Sequence, residues 1–192
     1  MYRFVAVVIV AVLATCTTSK ASKVLFVKEH IDVRVLNEAL FEVQGEYFFT
    51  SGDGNAGVST LFYPFPIDSA SLYPSFIHVS SMERSDSVSF RKNDRGIFFP
   101  VTVHPGDTSG IEVVYRQQVK KRSGTYILTT TGAWGRPLRN SSYSVCVPQA
   151  LTLNYMSYES DSVFVKGKNV VYSFFRSCFM PDRDLFFTWS EK

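Results

Sequence analysis

Apolar and polar residues alternate with a period of two along most of this 192-residue chain. Within residues 97–103, the side chains at every second position are apolar, namely Ile97, Phe99, Val101 and Val103. Successive side chains of a β-strand point to opposite faces, so this pattern predicts a strand with one buried face. Further strands are predicted at residues 24–27, 31–35, 39–43, 46–50, 59–63, 76–79, 87–91, 111–115, 125–130, 143–147, 151–155, 163–165, 170–174 and 185–189.

Turn signals separate these segments. Residues 93–96 read Asn-Asp-Arg-Gly and residues 166–169 read Lys-Gly-Lys-Asn, and both sequences are typical of tight turns. Residues 33–43 form the one helical candidate, in which Leu36, Leu40 and Val43 fit a helical face. Many short strands and no long helix predict an all-β fold, a two-sheet antiparallel β-sandwich of Ig-like architecture.

The first residues have the pattern of an export signal. Arg3 supplies a positive charge, and residues 4–14 are apolar without interruption. That run is shorter than the roughly 20 residues that span a bilayer. Ser19 and Ala21 fit the small-x-small pattern that precedes cleavage, which predicts a signal peptide over residues 1–21 and a single domain over residues 22–192.

A lipoprotein signal is the alternative interpretation of this segment. Leu13-Ala14-Thr15-Cys16 resembles a lipobox that ends in the cysteine to be lipidated, although Thr15 stands where a smaller residue is usual. Under that interpretation Cys16 carries the membrane anchor, which would be the chain's only contact with a membrane. Both interpretations predict an extracytoplasmic location, in the periplasm, at the cell surface or as a secreted protein.

Charge argues against nucleic acid as a partner. The whole chain has 20 basic and 17 acidic residues, a net charge of +3. Removal of residues 1–21 takes away Arg3 and Lys20 and no acidic residue, which leaves 18 against 17 and a net charge of +1. No basic domain remains to bind nucleic acid.

Cys146 and Cys178 are the two cysteines in the body of the chain. In an exported protein they are candidates for a disulfide, although two free thiols are the alternative. Alternation around Cys146 places it with Ser144 on the face opposite Tyr143, so such a bridge would lie on the surface of a sheet.

No catalytic or metal-binding motif is present. His30, His78 and His104 are scattered and match no metal-ligand spacing. The chain also lacks a G-x-S-x-G elbow, a P-loop and an H-E-x-x-H pair, so neither an enzyme nor a cofactor is predicted.

Residues 132–139 form a glycine-hinged loop that carries the candidate binding residues Trp134, Arg136 and Arg139. A tryptophan beside arginines can stack on a sugar ring or anchor a protein partner. In the alternative interpretation, Trp134 folds back and plugs the open end of the sandwich.

The order of the motifs from residue 75 to residue 190 resembles that of exported bacterial Ig-like β-sandwich proteins of unknown function. The resemblance is carried by Pro105-Gly106-Asp107-Thr108, Tyr115-Arg116-Gln117, Tyr126-Ile127-Leu128, Trp134-Gly135-Arg136-Pro137, Val147-Pro148, Pro181-Asp182-Arg183-Asp184-Leu185 and Trp189. These motifs are structural. The resemblance therefore implies the fold and the compartment, and it implies no catalytic residues.

The predicted function is that of a non-catalytic, exported domain that binds or scaffolds a protein or glycan of the cell envelope. One alternative is a carbohydrate-binding accessory module, which would need two or more coplanar aromatic side chains on one sheet face. Alternation places Phe98 and Tyr115 on opposite faces of their strands, so the sequence does not assemble such a platform. The other is a hydrolase whose site is assembled from residues distant in sequence.

Overall fold

The computed structural model describes residues 24–192, so the predicted signal peptide and Cys16 lie outside the described residues. The strands are β1 (Val24–Asn37), β2 (Leu40–Ser51), β3 (Gly57–Pro64), β4 (Phe76–Ser81), β5 (Arg91–Lys92), β6 (Gly96–Val103), β7 (Thr108–Gln118), β8 (Ser123–Tyr126), β9 (Leu138–Pro148), β10 (Leu151–Met156), β11 (Ser162–Lys166), β12 (Asn169–Phe179) and β13 (Leu185–Glu191). A 3-10 helix, Thr129–Trp134, lies between β8 and β9.

One layer of the fold is a seven-stranded sheet in the order β11-β12-β9-β1-β2-β7-β4. Its neighbours pair antiparallel except for β1 and β9, which are parallel, with Ile31 opposite Tyr143. On the other side of β1, Ile31 is opposite Gly45 of β2. The strands β1 and β2 therefore form the middle of this layer.

The opposite layer consists of two antiparallel three-stranded sheets, in the orders β10-β13-β8 and β3-β6-β5. The inner faces of all three sheets meet in one hydrophobic core. The large sheet contributes Ile31, Val33, Phe41, Val43, Val113, Tyr143 and Val145, and the small sheets contribute Ile97, Phe99, Val101, Leu185, Phe187 and Trp189. The predicted all-β sandwich and the alternation that predicted it are thus confirmed.

The predicted helix at residues 33–43 is wrong. These residues form the end of β1, a tight turn and the start of β2, and the Ala39 amide donates to Asn37 Oδ1 at 2.9 Å in the turn. Leu36 is 41% exposed whereas Val43 is fully buried, so the two do not share a helical face. The β-branched residues on both sides of the turn favour a hairpin.

Two predicted strands are shorter than expected. Residues 87–91 contribute an isolated bridge at Ser87 and the first residue of β5. In the segment 125–130, strand β8 ends at Tyr126. The Asp184 carboxylate accepts hydrogen bonds from the amides of Leu128 and Thr129, at 3.0 Å each, and the 3-10 helix begins there. Across residues 24–192, no helix has the length and apolar character needed to cross a membrane.

The predicted disulfide is not formed, and both cysteines are free. Cys146 is opposite Val171 of β12, and Cys178 lies seven positions further along that strand, roughly 23 Å away at the rise of a β-strand. A disulfide requires Cα atoms within about 7 Å of each other. The predicted face of Cys146 is confirmed, since it lies with Ser144 on the outer face of the large sheet.

Candidate functional site

A pocket of about 460 Å³ opens between the two small sheets. Its walls come from β3 and from β8 with the following 3-10 helix, and its floor comes from β1 and β2. Both β3 and β8 are edge strands of their sheets. The pocket therefore occupies the gap that is left because the second layer is split in two.

Glu29 lies at the floor of this pocket with 3% of its surface exposed. It points inward because it falls in the same alternating series as Ile31 and Val33. The Tyr143 hydroxyl donates a hydrogen bond to its carboxyl oxygen Oε1 at 2.5 Å. Burial raises the pKa of the Glu29 carboxyl to about 7, and hydrogen bonds from the hydroxyls of Tyr143 and Tyr126 oppose that rise.

A cluster of tyrosine hydroxyls surrounds the carboxyl. The Tyr47 hydroxyl, on the floor, hydrogen-bonds to the hydroxyls of Tyr63 and Tyr126 at 2.7 Å each. Tyr63 belongs to β3 and Tyr126 to β8, so one side chain links both walls. Burial raises the pKa of all three phenols well above the usual range, and they stay neutral donors and acceptors.

Trp134 packs at the mouth of the pocket. The 3-10 helix ends there because Gly135 takes a left-handed conformation, with φ at 64°, and its amide donates to the Gly132 carbonyl. The centroid of the indole ring lies 5.7 Å from that of Phe26 and 5.9 Å from that of Phe49. Trp134 therefore packs against rings of β1 and β2 beside the pocket.

The other two candidate binding residues do not line this pocket. Arg136 is half-buried, and Arg139 is exposed beside a separate shallow cleft that also contains Lys28 and Glu83. The structure thus separates Trp134 from Arg139, although they are close in sequence.

A second cleft, of about 830 Å³, lies on the outer face of the large sheet. A polar row crosses it, in which His30 Nδ1 shares a hydrogen bond with the Ser142 hydroxyl and Ser144 donates to the Asp32 carboxylate. His30 Nε2 is 3.7 Å from Asp32 Oδ2, and this pairing raises the pKa of His30 and lowers that of Asp32.

This row contains a serine, a histidine and an aspartate, but its position does not favour acyl transfer. Both β1 and β9 are paired on both sides, so their backbone amides are engaged in the sheet. Acyl transfer needs hydrogen-bond donors, most often free backbone N–H groups, aimed at the developing oxyanion. The described residues also contain no group of three or more His, Cys, Asp or Glu side chains that could hold a metal ion.

An aromatic pair lies on the outer face of β3 and β6, with Phe62 exposed and Phe98 half-buried. The ring centroids of Phe62 and Phe98 are 4.8 Å apart, with their planes tilted by 36°, and the Arg91 guanidinium lies 5.8 Å from the Phe98 centroid. Tyr115 is buried in the core, so the expected separation of Phe98 and Tyr115 onto different faces agrees with the structure. The tilt of the pair differs from the coplanar platform expected of a carbohydrate-binding module.

The pocket residues Glu29, Tyr47 and Tyr63 were not predicted as site residues from the sequence. For Glu29 a signal was present, because it continues the apolar series at every second position through Ile31, Val33 and Val35. An acidic residue in the buried series of a strand is a marker for a functional or structurally special position. The hydrogen-bonded tyrosines come from three different strands, so no local sequence pattern indicates that their hydroxyls meet.

No protein-family model matches the chain, and no curated protein matches it in sequence. Solved structures do resemble it. A candidate nutrient-binding protein of Legionella pneumophila superposes with a TM-score of 0.69 at 15% identity, over 86% of this chain and 66% of that one. The M1 zinc metallopeptidase of Deinococcus radiodurans superposes with a TM-score of 0.53 at 9% identity, over 88% of this chain and 42% of that one.

These similarities show a shared β-rich fold. The chain spans about two thirds of the Legionella protein and less than half of the peptidase. At such low identity, the likeness does not extend to activity.

Proposed function

We propose that this chain is a non-catalytic binding module that takes a small, largely apolar molecule into the pocket between β3 and β8. The observation that carries the proposal is Glu29, the one charged side chain among the described residues that line a largely aromatic pocket. At about 460 Å³, the pocket falls in the range of roughly 300–1,000 Å³ that is typical of ligand sites. Such sites combine aromatic walls with a few convergent polar groups, as this one does.

A purely structural role explains Glu29 poorly. Burial of a carboxyl without a cationic partner is unfavourable, and an apolar residue of similar volume would stabilise the core. The same burial raises the pKa of the Glu29 carboxyl. Acidic groups in such positions are frequent at functional sites.

The side chains that line the pocket favour binding over catalysis. The pocket offers one carboxyl and several phenols, with no histidine, cysteine or second acid among the described residues that line it. Burial raises the pKa of these phenols well above the usual range, so Glu29 alone among the described lining residues titrates near neutral pH, whereas a general acid–base pair needs two such groups. The similarity in fold to a candidate nutrient-binding protein also supports a binding role.

The setting that we propose is extracytoplasmic. The support for it is the export signal read from residues 1–21, with Cys16 as the alternative point of attachment to a membrane. The ligand would then be a small molecule met in the cell envelope or outside the cell, and the domain would present it to, or hold it for, another envelope component.

The test is binding of N-phenyl-1-naphthylamine, a neutral probe that fluoresces in apolar sites. We expect saturable binding to the wild-type protein. Ala133→Trp places a large ring at the pocket mouth, since Ala133 is exposed and lines the pocket, and should weaken binding at least tenfold. Ala150→Trp, at an exposed turn away from the pocket, is the matched control and should bind as the wild type does.

Absence of saturable binding to the wild-type protein would overturn the proposal. Equal binding by the wild type and by folded Ala133→Trp would do the same, because the probe would then occupy another site. Circular dichroism of both variants verifies that each is folded.

A further inference from the structure

The pocket between β3 and β8 is acidic and has no compensating base. Among the described residues that line it, Glu29 is the only charged side chain, and Lys, Arg and His are absent. The groups that face the carboxyl from the surrounding strands are the hydroxyls of Tyr47, Tyr63, Tyr126 and Tyr143. All of them are neutral, so the carboxyl has no cationic partner within residues 24–192.

Aromatic side chains line the pocket on three sides. Phe26 and Phe49 lie on the floor, Tyr63 on one wall, and Tyr126 and Trp134 on the other. The faces of aromatic rings attract cations, with tryptophan the strongest, and sites of this composition bind ammonium groups. The carboxyl and the rings therefore favour the same kind of ligand.

We infer that the ligand is an organic cation, an amine or quaternary ammonium on a small apolar body, whose charged head pairs with the Glu29 carboxylate inside the aromatic pocket. This inference rests on the proposed function, because it names the class of molecule that the pocket takes. The apolar body fills the space beside Phe26 and Phe49, and the head supplies the positive charge that is absent from the described residues lining the pocket.

Other ligand classes fit less well. An anion would meet the Glu29 carboxyl in a site with little water to screen the repulsion. A neutral apolar molecule would leave the negative charge of the ionised carboxyl uncompensated by any cation. A cation avoids both penalties.

Cation binding should depend on pH in a defined direction. A bound cation favours the ionised carboxyl, and the pKa of Glu29 near 7 means that the protonated form is abundant below neutral pH. Binding below pH 7 therefore releases a proton, and the affinity should rise as the pH increases from 6 to 8. The tyrosines around Glu29 stay protonated over this range, because burial raises their pKa.

The experiment compares two probes of the same shape, benzyltrimethylammonium and neopentylbenzene, as competitors of N-phenyl-1-naphthylamine. On the wild-type protein at pH 8, we expect the cation to compete at least tenfold better than its neutral isostere. Glu29→Gln keeps the volume and an acceptor for the Tyr143 hydroxyl but removes the charge, so it should abolish this preference. Glu159→Gln, an exposed carboxyl outside the pocket, is the matched control and should retain it.

Trp134→Leu is a second variant, which tests the aromatic contribution without touching Glu29. It should weaken binding of the cation more than binding of the neutral isostere. The inference is overturned if the two isosteres compete equally on the wild type, or if the preference for the cation survives in folded Glu29→Gln. Either result would leave the pocket as a binding site. Failure of N-phenyl-1-naphthylamine itself to bind overturns the proposed function instead.

Discussion

The Tyr143 hydroxyl donates a 2.5 Å hydrogen bond to the Glu29 carboxyl across the parallel pair of β1 and β9. Tyr143 is directly opposite Ile31, and Glu29 lies two positions before Ile31 on the same buried face of the sheet, so the hydrogen bond runs diagonally between the strands. The acid is thus satisfied by a neutral donor rather than by a cation. Burial outweighs this hydrogen bond and favours the protonated form of Glu29 in the folded protein, so stability depends on pH.

We predict that Glu29 destabilises the protein as the pH rises. Its carboxyl has a pKa of about 7 in the folded protein against an ordinary value of 4.5, so the folded state holds the proton more tightly than the unfolded state. Its contribution is therefore most favourable below pH 4.5 and falls as the pH rises through 7, by about 3 kcal/mol in total.

Urea unfolding of the wild type and of Glu29→Gln at pH 5 and pH 8 measures this difference. The free energy of unfolding of Glu29→Gln should exceed that of the wild type at pH 8, and the gap should narrow at pH 5. The exposed variant Glu159→Gln controls for the charge change alone. A stability difference between Glu29→Gln and the wild type that is the same at both pH values would contradict the prediction.

Gly45→Ala should disrupt the tyrosine cluster. The ring of Tyr47 lies over Gly45, and a Cβ atom there would come 2.1 Å from the Tyr47 hydroxyl oxygen and 2.6 Å from its Cζ. The ring cannot swing aside freely, because its hydroxyl bonds to those of Tyr63 and Tyr126. We expect a loss of about 1–3 kcal/mol in the free energy of unfolding, which is typical of overpacking.

Gly132→Ala is the matched control for this prediction. A Cβ at Gly132 meets nothing within 4 Å, so the substitution should change the free energy of unfolding little. Thermal unfolding of both variants provides the comparison. A Gly45→Ala protein as stable as Gly132→Ala would show that the Tyr47 ring is not held in place by its hydrogen bonds.

The strands were largely predictable because the core imposes period two on each of them. Thirteen strands are present in residues 24–192, and most of the predicted segments fall within one of them. Segments 24–27 and 31–35 were predicted as separate strands because charged residues interrupt the apolar run, whereas they form one strand, β1. Joining them would have placed Glu29 on the buried face.

The pocket itself was not predictable from local patterns. It exists because β3 and β8 are edge strands that face each other across β1 and β2, and strand order depends on pairings between distant segments. Glu29 and Tyr143 are 114 residues apart in sequence. Alternation specifies which face of a strand is buried but not which strand lies opposite.

The two cysteines should behave as independent thiols. Cys178 is exposed, and Cys146 is half-buried with a pKa that burial raises above its usual range. Since the thiolate is the reactive form, iodoacetamide at pH 7.5 should alkylate Cys178 before Cys146. Mass spectrometry of the unreduced protein should show both thiols intact, and a mass two hydrogens lower would contradict the separation of the cysteines along β12.

The intact mass of the protein recovered from its native envelope tests the export signal. We predict a chain that begins at Ser22, because Ser19 and Ala21 fit the cleavage pattern and residues 4–14 form a short apolar run. A chain that begins at Cys16 and carries acyl groups would instead mean a lipoprotein, whose pocket works at a membrane surface. In that case the search for its ligand turns to amphiphilic cations of the membrane. The unprocessed mass from Met1 would contradict export, and with it the extracytoplasmic setting proposed for the pocket.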